Sequence, residues 1–353
     1  MAVQKISIKD WVQLTTPSLI IDVRSPKEYQ HAHIPGAFSL PLFDDEQRAI
    51  VGTTYKKQSR EDAIKTALPF FGNKMLPMVQ QVEAWVKDFK NNHSQSTPII
   101  YVHCWRGGMR SAAVAWLLDL YGFKVYQIVG GYKAYRNWVI EQFNKTYSLK
   151  VVGGYTGSGK TEILKALSDM DQSVIDLEGL AHHKGSAFGA LGQAPQPSQE
   201  MFENLLGKDL FFYGGQQKTI WVEDESQRIG TVMIPSIFFE QLRQSPCYFI
   251  NIPFEERLGF IVEQYGQFET EALIAATQRI QKRLGGLETK NAIAFLTENN
   301  IPAAFSILLK YYDRWYEKFS EPNSKPQQKN IYSLLVNNVD ALQNAKQLMA
   351  FQP

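Results

Sequence analysis

One cysteine, Cys104, opens the segment Cys104-Trp-Arg106-Gly-Gly-Met-Arg110-Ser111, where two glycines and two arginines follow the thiol closely. The β-rich run at 97–103 reads as a strand and the stretch after the loop as a helix, so the thiol sits at a strand-to-helix handover. Unpaired backbone N–H groups and the positive end of the helix dipole collect at such a point. Gly107 and Gly108 let the loop curl its amides inward, and Arg106 and Arg110 add fixed positive charge. Each of these favours a negatively charged sulfur, so Cys104 is expected to be a reactive nucleophile beside an oxyanion pocket. The competing reading is a cysteine that only packs. Cys247, in Ser-Pro-Cys-Tyr-Phe-Ile with no basic neighbour, is taken that way.

A second constellation, Gly154-Tyr-Thr-Gly157-Ser158-Gly159-Lys160-Thr161, fits G-x-x-x-x-G-K-[ST] in full, after a strand and before a helix. Gly154, Gly157, Ser158 and Gly159 can wrap backbone N–H groups around a di- or triphosphate. Lys160 would supply charge to the phosphate oxygens, and the Thr161 hydroxyl suits Mg²⁺. The strand at 219–222 ends in Glu223-Asp224-Glu225, where a metal-facing carboxylate is expected. Glu223 and Asp224 are the candidates, against a solvated acidic strand end. Arg279, Lys282 and Arg283 would close over phosphates as a lid, or be exposed helical charge. Asp176 and Glu178 point toward the ligand crevice of such sheets.

The elements that position these loops follow from length and pattern. The chain has 353 residues, 44% hydrophobic and 20% charged, which suits about two soluble domains. A disordered chain, a collagen-like repeat and a disulfide scaffold are excluded. No run reaches the roughly 18 apolar residues of a membrane span, and the N-terminus has no apolar core of a secretory signal. Two cysteines and no export signal imply a reduced, cytoplasmic setting. Strands alternate with helical periodicity throughout, so the expected fold is α/β. A parallel α/β domain at 1–145 precedes a second α/β domain at 146–353, built on the phosphate loop and ending in a helical region. Helices are expected at 75–92, 109–121, 131–143, 199–212, 235–244, 254–264, 269–284 and 301–319. The net charge of +2 conceals a split: residues 1–145 carry +6 and residues 146–353 carry −4.

Residues 5–145 resemble the rhodanese family of sulfurtransferases through Asp22-Val-Arg24, Glu28-Tyr29, His33-Ile-Pro-Gly-Ala37, the strand-end Cys104 and Gly130-Gly131-Tyr132. The resemblance implies a persulfide-carrying cysteine. One departure is the C-x5-R spacing from Cys104 to Arg110, found in cysteine phosphatases and in the phosphatase branch of the rhodanese fold, which would admit a phosphate-sized anion. The fusion of this unit to a phosphate loop resembles the bacterial tRNA 2-selenouridine synthase family across essentially the full chain. Further matching stretches are Val51 to Lys56, Ser59-Arg60-Glu61, Asp176 to Gly189 and Glu225 to Gly230, with Gln227 where that family often has a basic residue.

That resemblance implies a tRNA-modifying transferase acting on wobble 2-thiouridine in the anticodon. Geranyl diphosphate would alkylate the sulfur, and selenophosphate, supplied by a separate selenophosphate-producing enzyme, would then replace the S-geranyl group. The 154–161 loop would hold the diphosphate with Mg²⁺, Phe202, Phe211 and Phe212 would house the geranyl tail or simply fill a core, and the Cys104 loop would handle selenophosphate. Lys56, Lys57, Arg60, Lys124, Lys133 and Arg136 are candidate tRNA phosphate contacts. The stretch from Lys310 to Tyr316 would stack on nucleotides or pack as an ordinary helix. The runner-up reading is a sulfurtransferase coupled to a nucleotide kinase or ATPase acting on a small molecule. A nucleotide- and oxidant-sensing module and a phosphatase are further alternatives.

Overall fold

The structure, a computed structural model, describes residues 3–93, 97–216, 218–320 and 330–351. The chain divides into two compact units, residues 1–141 and 142–353.

The first unit runs β1 (Gln4–Ile6), α1 (Ile8–Trp11), β2 (Ser18–Asp22), α2 (Pro26–His31), β3 (Phe38–Ser39), α3 (Asp45–Lys57), α4 (Arg60–Asn92), β4 (Ile99–His103), α5 (Met109–Tyr121), β5 (Val125–Ile128) and α6 (Gly131–Phe143). Its five strands form an all-parallel sheet in the order β1-β5-β4-β2-β3. Central β4 reads Ile-Ile-Tyr-Val-His and is buried almost throughout, as a strand covered on both faces must be. Val82 and Val86 of α4, Val114 and Leu118 of α5 and Ile21 of β2 share one core. Cys104 closes that core at the carboxyl end of β4.

The second unit runs β6 (Leu149–Gly154), α7 (Lys160–Asp169), β7 (Ser173–Ile175), α8 (Leu177–Ala181), α9 (Gln199–Gly214), β8 (Ile220–Glu223), β9 (Arg228–Ile229), β10 (Val232–Met233), α10 (Ser236–Gln244) and β11 (Pro246–Asn251). It continues through α11 (Phe254–Tyr265), α12 (Thr270–Arg279), α13 (Gln281–Leu284), α14 (Gly286–Thr297), α15 (Ile301–Ser320), β12 (Asn330–Leu335) and α16 (Ala341–Ala350). Its parallel sheet has the order β12-β11-β6-β8-β7, with a β9–β10 antiparallel ribbon apart from it. β6 and β8 are neighbours in space but not in sequence. A crevice therefore opens at their carboxyl ends, where a parallel sheet takes its ligands. Ile163, Leu164 and Leu167 of α7 pack with Val152 of β6 and Trp221 of β8, and a separate core gathers α11, α12, α14 and α15. Among the described residues, no helix is long and apolar enough to cross a membrane.

The periodicity places a helix at 75–92; the structure extends it back to Arg60. Ser59 caps it by accepting from the Asp62 N–H at 3.0 Å, and it runs through Pro69 and Pro77. Both prolines lie on its exposed side. β12, α14 and α16 are additions to the elements read from the sequence. A proline inside a helix costs about 3 kcal/mol relative to alanine. P69A is therefore expected to raise the urea midpoint of the first unit, with a gain in unfolding free energy of no more than about 3 kcal/mol; a lowered midpoint would mean that the proline is needed for the helix path.

Candidate functional site

At the carboxyl end of β4 the Cys104 sulfur is buried, 3% exposed, and accepts from the Gly108 N–H at 3.3 Å. The Ser111 hydroxyl, from the first turn of α5, lies 3.3 Å from the same sulfur. The start of α6 ties the loop down from behind: Tyr132 N–H donates to the Cys104 carbonyl and Lys133 N–H to the Trp105 carbonyl, each at 2.9 Å. Gly131 permits this approach, since at φ +57° a Cβ there would stand 2.2 Å from the Cys104 carbonyl oxygen. Trp105, Met109 and Val129 are exposed around the buried thiol, so the loop has an apolar rim.

Of the two arginines predicted for this loop, Arg106 is exposed and Arg110 turns back to Glu28 at 2.7 Å. Burial pushes the Glu28 carboxyl up, but the Arg110 bond and the charges of Arg110 and Arg48 outweigh it and hold Glu28 below the usual range. Glu28 therefore fixes the guanidinium beside the loop, a role the sequence reading did not assign to it. Beneath the thiol, Arg24 makes a fork to Asp22 at 2.7–3.0 Å, donates to the Ala32 carbonyl at 2.7 Å and stacks on Tyr132 at 3.9 Å. Burial opposes ionisation of Asp22, yet His103 and Arg24 keep its carboxyl low. His103 is fully buried, both of its ring nitrogens lack a hydrogen-bond partner, and burial pushes its imidazole down despite Asp22 at 3.8 Å.

In the second unit Lys160 Nζ donates to the Gly154 carbonyl at 3.1 Å, folded back over the loop it would charge. Gly157 sits at φ +81°, and a Cβ there would lie 2.8 Å from Ile261. Ser158 Oγ is buried without a partner. Thr161 Oγ donates to Glu178 Oε2 at 3.0 Å, the Glu178 N–H donates to Glu223 Oε1 at 2.7 Å, and Glu178 shares a side-chain hydrogen bond with Glu225. Burial, reinforced by neighbouring carboxylates, pushes Glu223 and Glu225 well above the usual carboxyl range; burial raises Glu178 as well.

The two predicted metal carboxylates part company. Glu223 is buried at the strand end with Oε2 unpartnered, whereas Asp224 is ion-paired with Arg243. Glu225, not Asp224, joins Glu178. Among the described residues no group of three His, Cys, Asp or Glu side chains is arranged to hold a metal. A Mg²⁺ bound mainly through substrate phosphates needs only one or two protein ligands. The Thr161 hydroxyl and the orphaned Glu223 oxygen fit that requirement.

The lid arginines also differ from each other. Arg279 reaches the Ala187 carbonyl at 3.3 Å in the loop after α8, which lies against Glu225 at Gly185. Arg283 bonds Tyr311 in the helical region instead. Phe202 is buried, Phe212 is 59% exposed, and Phe211, nine residues from Phe202, is about half a turn out of phase with it. These three phenylalanines do not line one pocket. Lys56 and Arg60 are exposed at the α3–α4 corner, Lys133 is exposed on the first turn of α6, and Arg136 is half-buried.

Two family models match the chain. Residues 7–137 match the rhodanese-like domain, and residues 147–333 match the tRNA 2-selenouridine synthase AAA domain. A tRNA 2-selenouridine synthase of Sulfurovum sp. (strain NBC37-1) is 34% identical over 338 residues, covering 86% of this chain and 89% of that protein. The chain belongs to the tRNA 2-selenouridine synthase family. The Shewanella piezotolerans synthase is 32% identical over 90% of this chain and 93% of its own length. The Bdellovibrio bacteriovorus synthase is 40% identical over 73% of this chain and 66% of its own.

Among the residues of this family member that sequence reasoning missed, Arg257 on α11 stands out. It is 4% exposed, donates to the Thr156 carbonyl in the phosphate loop at 3.0 Å and pairs with Asp313 at 2.7 Å. Asp313 belongs to the stretch from Lys310 to Tyr316. Tyr311 of that stretch is buried and Tyr312 accepts from the Ala187 N–H at 3.1 Å, so this part packs as helix; the side chains of Trp315 and Tyr316 lie outside the described residues. The only sequence trace of Arg257 is a lone basic residue after Glu255-Glu256.

Removing one partner of a buried pair costs about 3–5 kcal/mol. R257A is expected to lower the thermal midpoint of the second unit accordingly, and R257L with D313L to recover part of the loss; equal melting of R257A and the wild type would refute the buttress. The pH expectation concerns His103. Its unfolded imidazole takes a proton below about pH 6.5 while the buried one resists, so its contribution to stability is full above that pH and is lost on acidification. Urea unfolding monitored by hydrogen exchange in β4 should weaken by up to about 1.4 kcal/mol per pH unit for this one proton, and H103L should flatten that slope.

Proposed function

We propose that this chain converts wobble 2-thiouridine in tRNA to 2-selenouridine in two steps, the first at the 154–161 loop and the second at the Cys104 loop. The observation that carries this reading is the pairing, in a member of this family, of two anion-receiving loops of different chemistry. One offers a lysine and a hydroxyl beside buried carboxyls; the other offers a buried thiol beside a fixed guanidinium.

In the first step geranyl diphosphate is bound with its diphosphate in the 154–161 loop. Lys160 leaves the Gly154 carbonyl for the phosphate oxygens, and the loop amides with the Ser158 hydroxyl receive the rest. Mg²⁺, held by Thr161 and Glu223, would supply further charge neutralisation on the diphosphate. The thiocarbonyl sulfur attacks the allylic carbon, the carbon–oxygen bond to the diphosphate breaks, and the base loses its N3 proton. Pyrophosphate leaves.

In the second step the selenium of selenophosphate replaces the S-geranyl group at C2 of the base. Geranyl thiol departs more readily than sulfide would, which gives the first step its purpose. Water then cleaves the phosphorus–selenium bond and releases phosphate. Cys104, Arg110 and Arg106 anchor this donor while its selenium attacks C2. Lys133, on the helix that ties down the cysteine loop, and Arg136, Lys56 and Arg60 serve tRNA phosphates.

The test is nucleoside mass spectrometry of thiolated tRNA incubated with each donor in turn. K160A is expected to lose S-geranylation by at least a hundredfold while still selenating tRNA that is already geranylated. C104S is expected to do the reverse. If K160A geranylates at the normal rate, the diphosphate assignment fails; if C104S selenates at the normal rate, the cysteine assignment fails.

A further inference from the structure

Gln127, on β5 and 5% exposed, lies beneath the cysteine loop. Its side-chain amide nitrogen donates to the Gly107 carbonyl at 2.8 Å, the Gly108 carbonyl at 3.1 Å and Ser111 Oγ at 2.9 Å. The loop is pressed onto the end of β5 at this point. A Cβ on Gly107, which has φ +62°, would stand 2.4 Å from the Ile128 carbonyl oxygen.

A planar trans peptide sends the carbonyl of one residue and the N–H of the next in opposite directions. Drawing the Gly107 carbonyl toward β5 therefore turns the Gly108 N–H the other way, where it is found on the Cys104 sulfur. The Gly108 carbonyl, held by Gln127 together with the Ala112 N–H at 3.0 Å, does the same for the N–H of Met109, the first residue of α5, which has no partner inside the helix. The third bond occupies a lone pair on Ser111 Oγ, leaving its single hydrogen to the Gly108 carbonyl at 3.1 Å or the Cys104 sulfur at 3.3 Å.

We propose that Gln127 is the positioning residue of the anion cradle: by capturing two loop carbonyls from below, it aims the Gly108 and Met109 amides and the Ser111 hydroxyl at the Cys104 sulfur and at a phosphoryl anion beside it. This rests on the reading that the Cys104 loop receives the selenium donor. Gln127 itself touches neither sulfur nor anion. Without its amide the Gly107 carbonyl loses this donor and its peptide is free to turn over, which would present an oxygen to the anion, whereas the Gly108 carbonyl keeps the Ala112 N–H at 3.0 Å.

The charged groups around Cys104 do not change when Gln127 does. They are His103 next to it on β4, Arg110 on α5 with its Glu28 from α2, Asp22 and Arg24 at the end of β2, and Arg106 in the loop. A change in thiol behaviour in Gln127 variants thus reports the hydrogen-bond donors.

The experiment follows iodoacetamide alkylation of Cys104 in the full-length protein, by peptide mass, across pH and with or without inorganic phosphate. Q127M, close in shape but without donors, is expected to alkylate about tenfold more slowly near pH 7, with its profile displaced to higher pH and phosphate protection lost. Q127H, which keeps a ring N–H at the same strand position, is expected to recover part of both. Wild-type rate, profile and protection in Q127M would overturn the proposal, as would a Q127H no better than Q127M. Alkylation and phosphate protection do not pass through selenation, so an active C104S would sink the selenium reading while leaving the Gln127 result standing.

Discussion

A parallel strand that hands over to a helix leaves backbone N–H groups with no partner inside the protein, and everything chemical in this chain is built on that deficit. It occurs after β4 and again after β6. The ordinary solution is a capping side chain, as Ser59 provides for α4 and Ser198 for α9. Neither loop uses one. Gly108 precedes α5 and Gly159 precedes α7, and neither has a side chain that could satisfy the amides. The donors stay available, and an anion is their natural complement.

What separates the two loops is how each balances charge before its anion arrives. In the first unit Arg110 is held by Glu28, and Arg24 by Asp22, so these two guanidinium groups already have their own carboxylates. In the second unit the balance is inverted. Lys160 faces a carbonyl, and the nearby carboxyls of Glu178, Glu223 and Glu225 are pushed toward their neutral forms by burial and by one another. Two carboxyls that share a hydrogen bond must share a proton. A cation arriving with a bound diphosphate would displace such protons.

The chemistry was legible where one residue type at one spacing had one physical use. Cys104 and the 154–161 loop could be read because glycine, lysine and a strand–loop–helix context leave few alternatives. The α/β class followed from periodicity for the same reason. Partners were harder to read than positions. Glu28, 82 residues before Arg110, and Asp313, 56 residues after Arg257, are joined only by the fold. Asp224 and Glu225 are adjacent acidic residues at one strand end, and nothing in their order tells which one meets Arg243 and which one meets Glu178. Helix α4 starts at Arg60, well before the expected 75, and its two prolines lie on the exposed face, clear of the buried residues that anchor the helix to the core.

On the proposed two-step reading, the same distinction would keep either loop from standing in for the other. Leaving-group departure from an allylic diphosphate needs charge placed on several phosphate oxygens, which a flexible lysine, a wrapped ring of amides and a hydroxyl provide. Displacement at C2 of a base needs a soft donor atom held at one point. A buried sulfur with two aimed hydrogen bonds defines that point better than a mobile charge would. On that reading the exposed Trp105, Met109 and Val129 would meet a departing hydrocarbon thiolate better than water would. The two proposed steps would call for two electrostatic environments, and one chain repeats a single backbone device on two sheets.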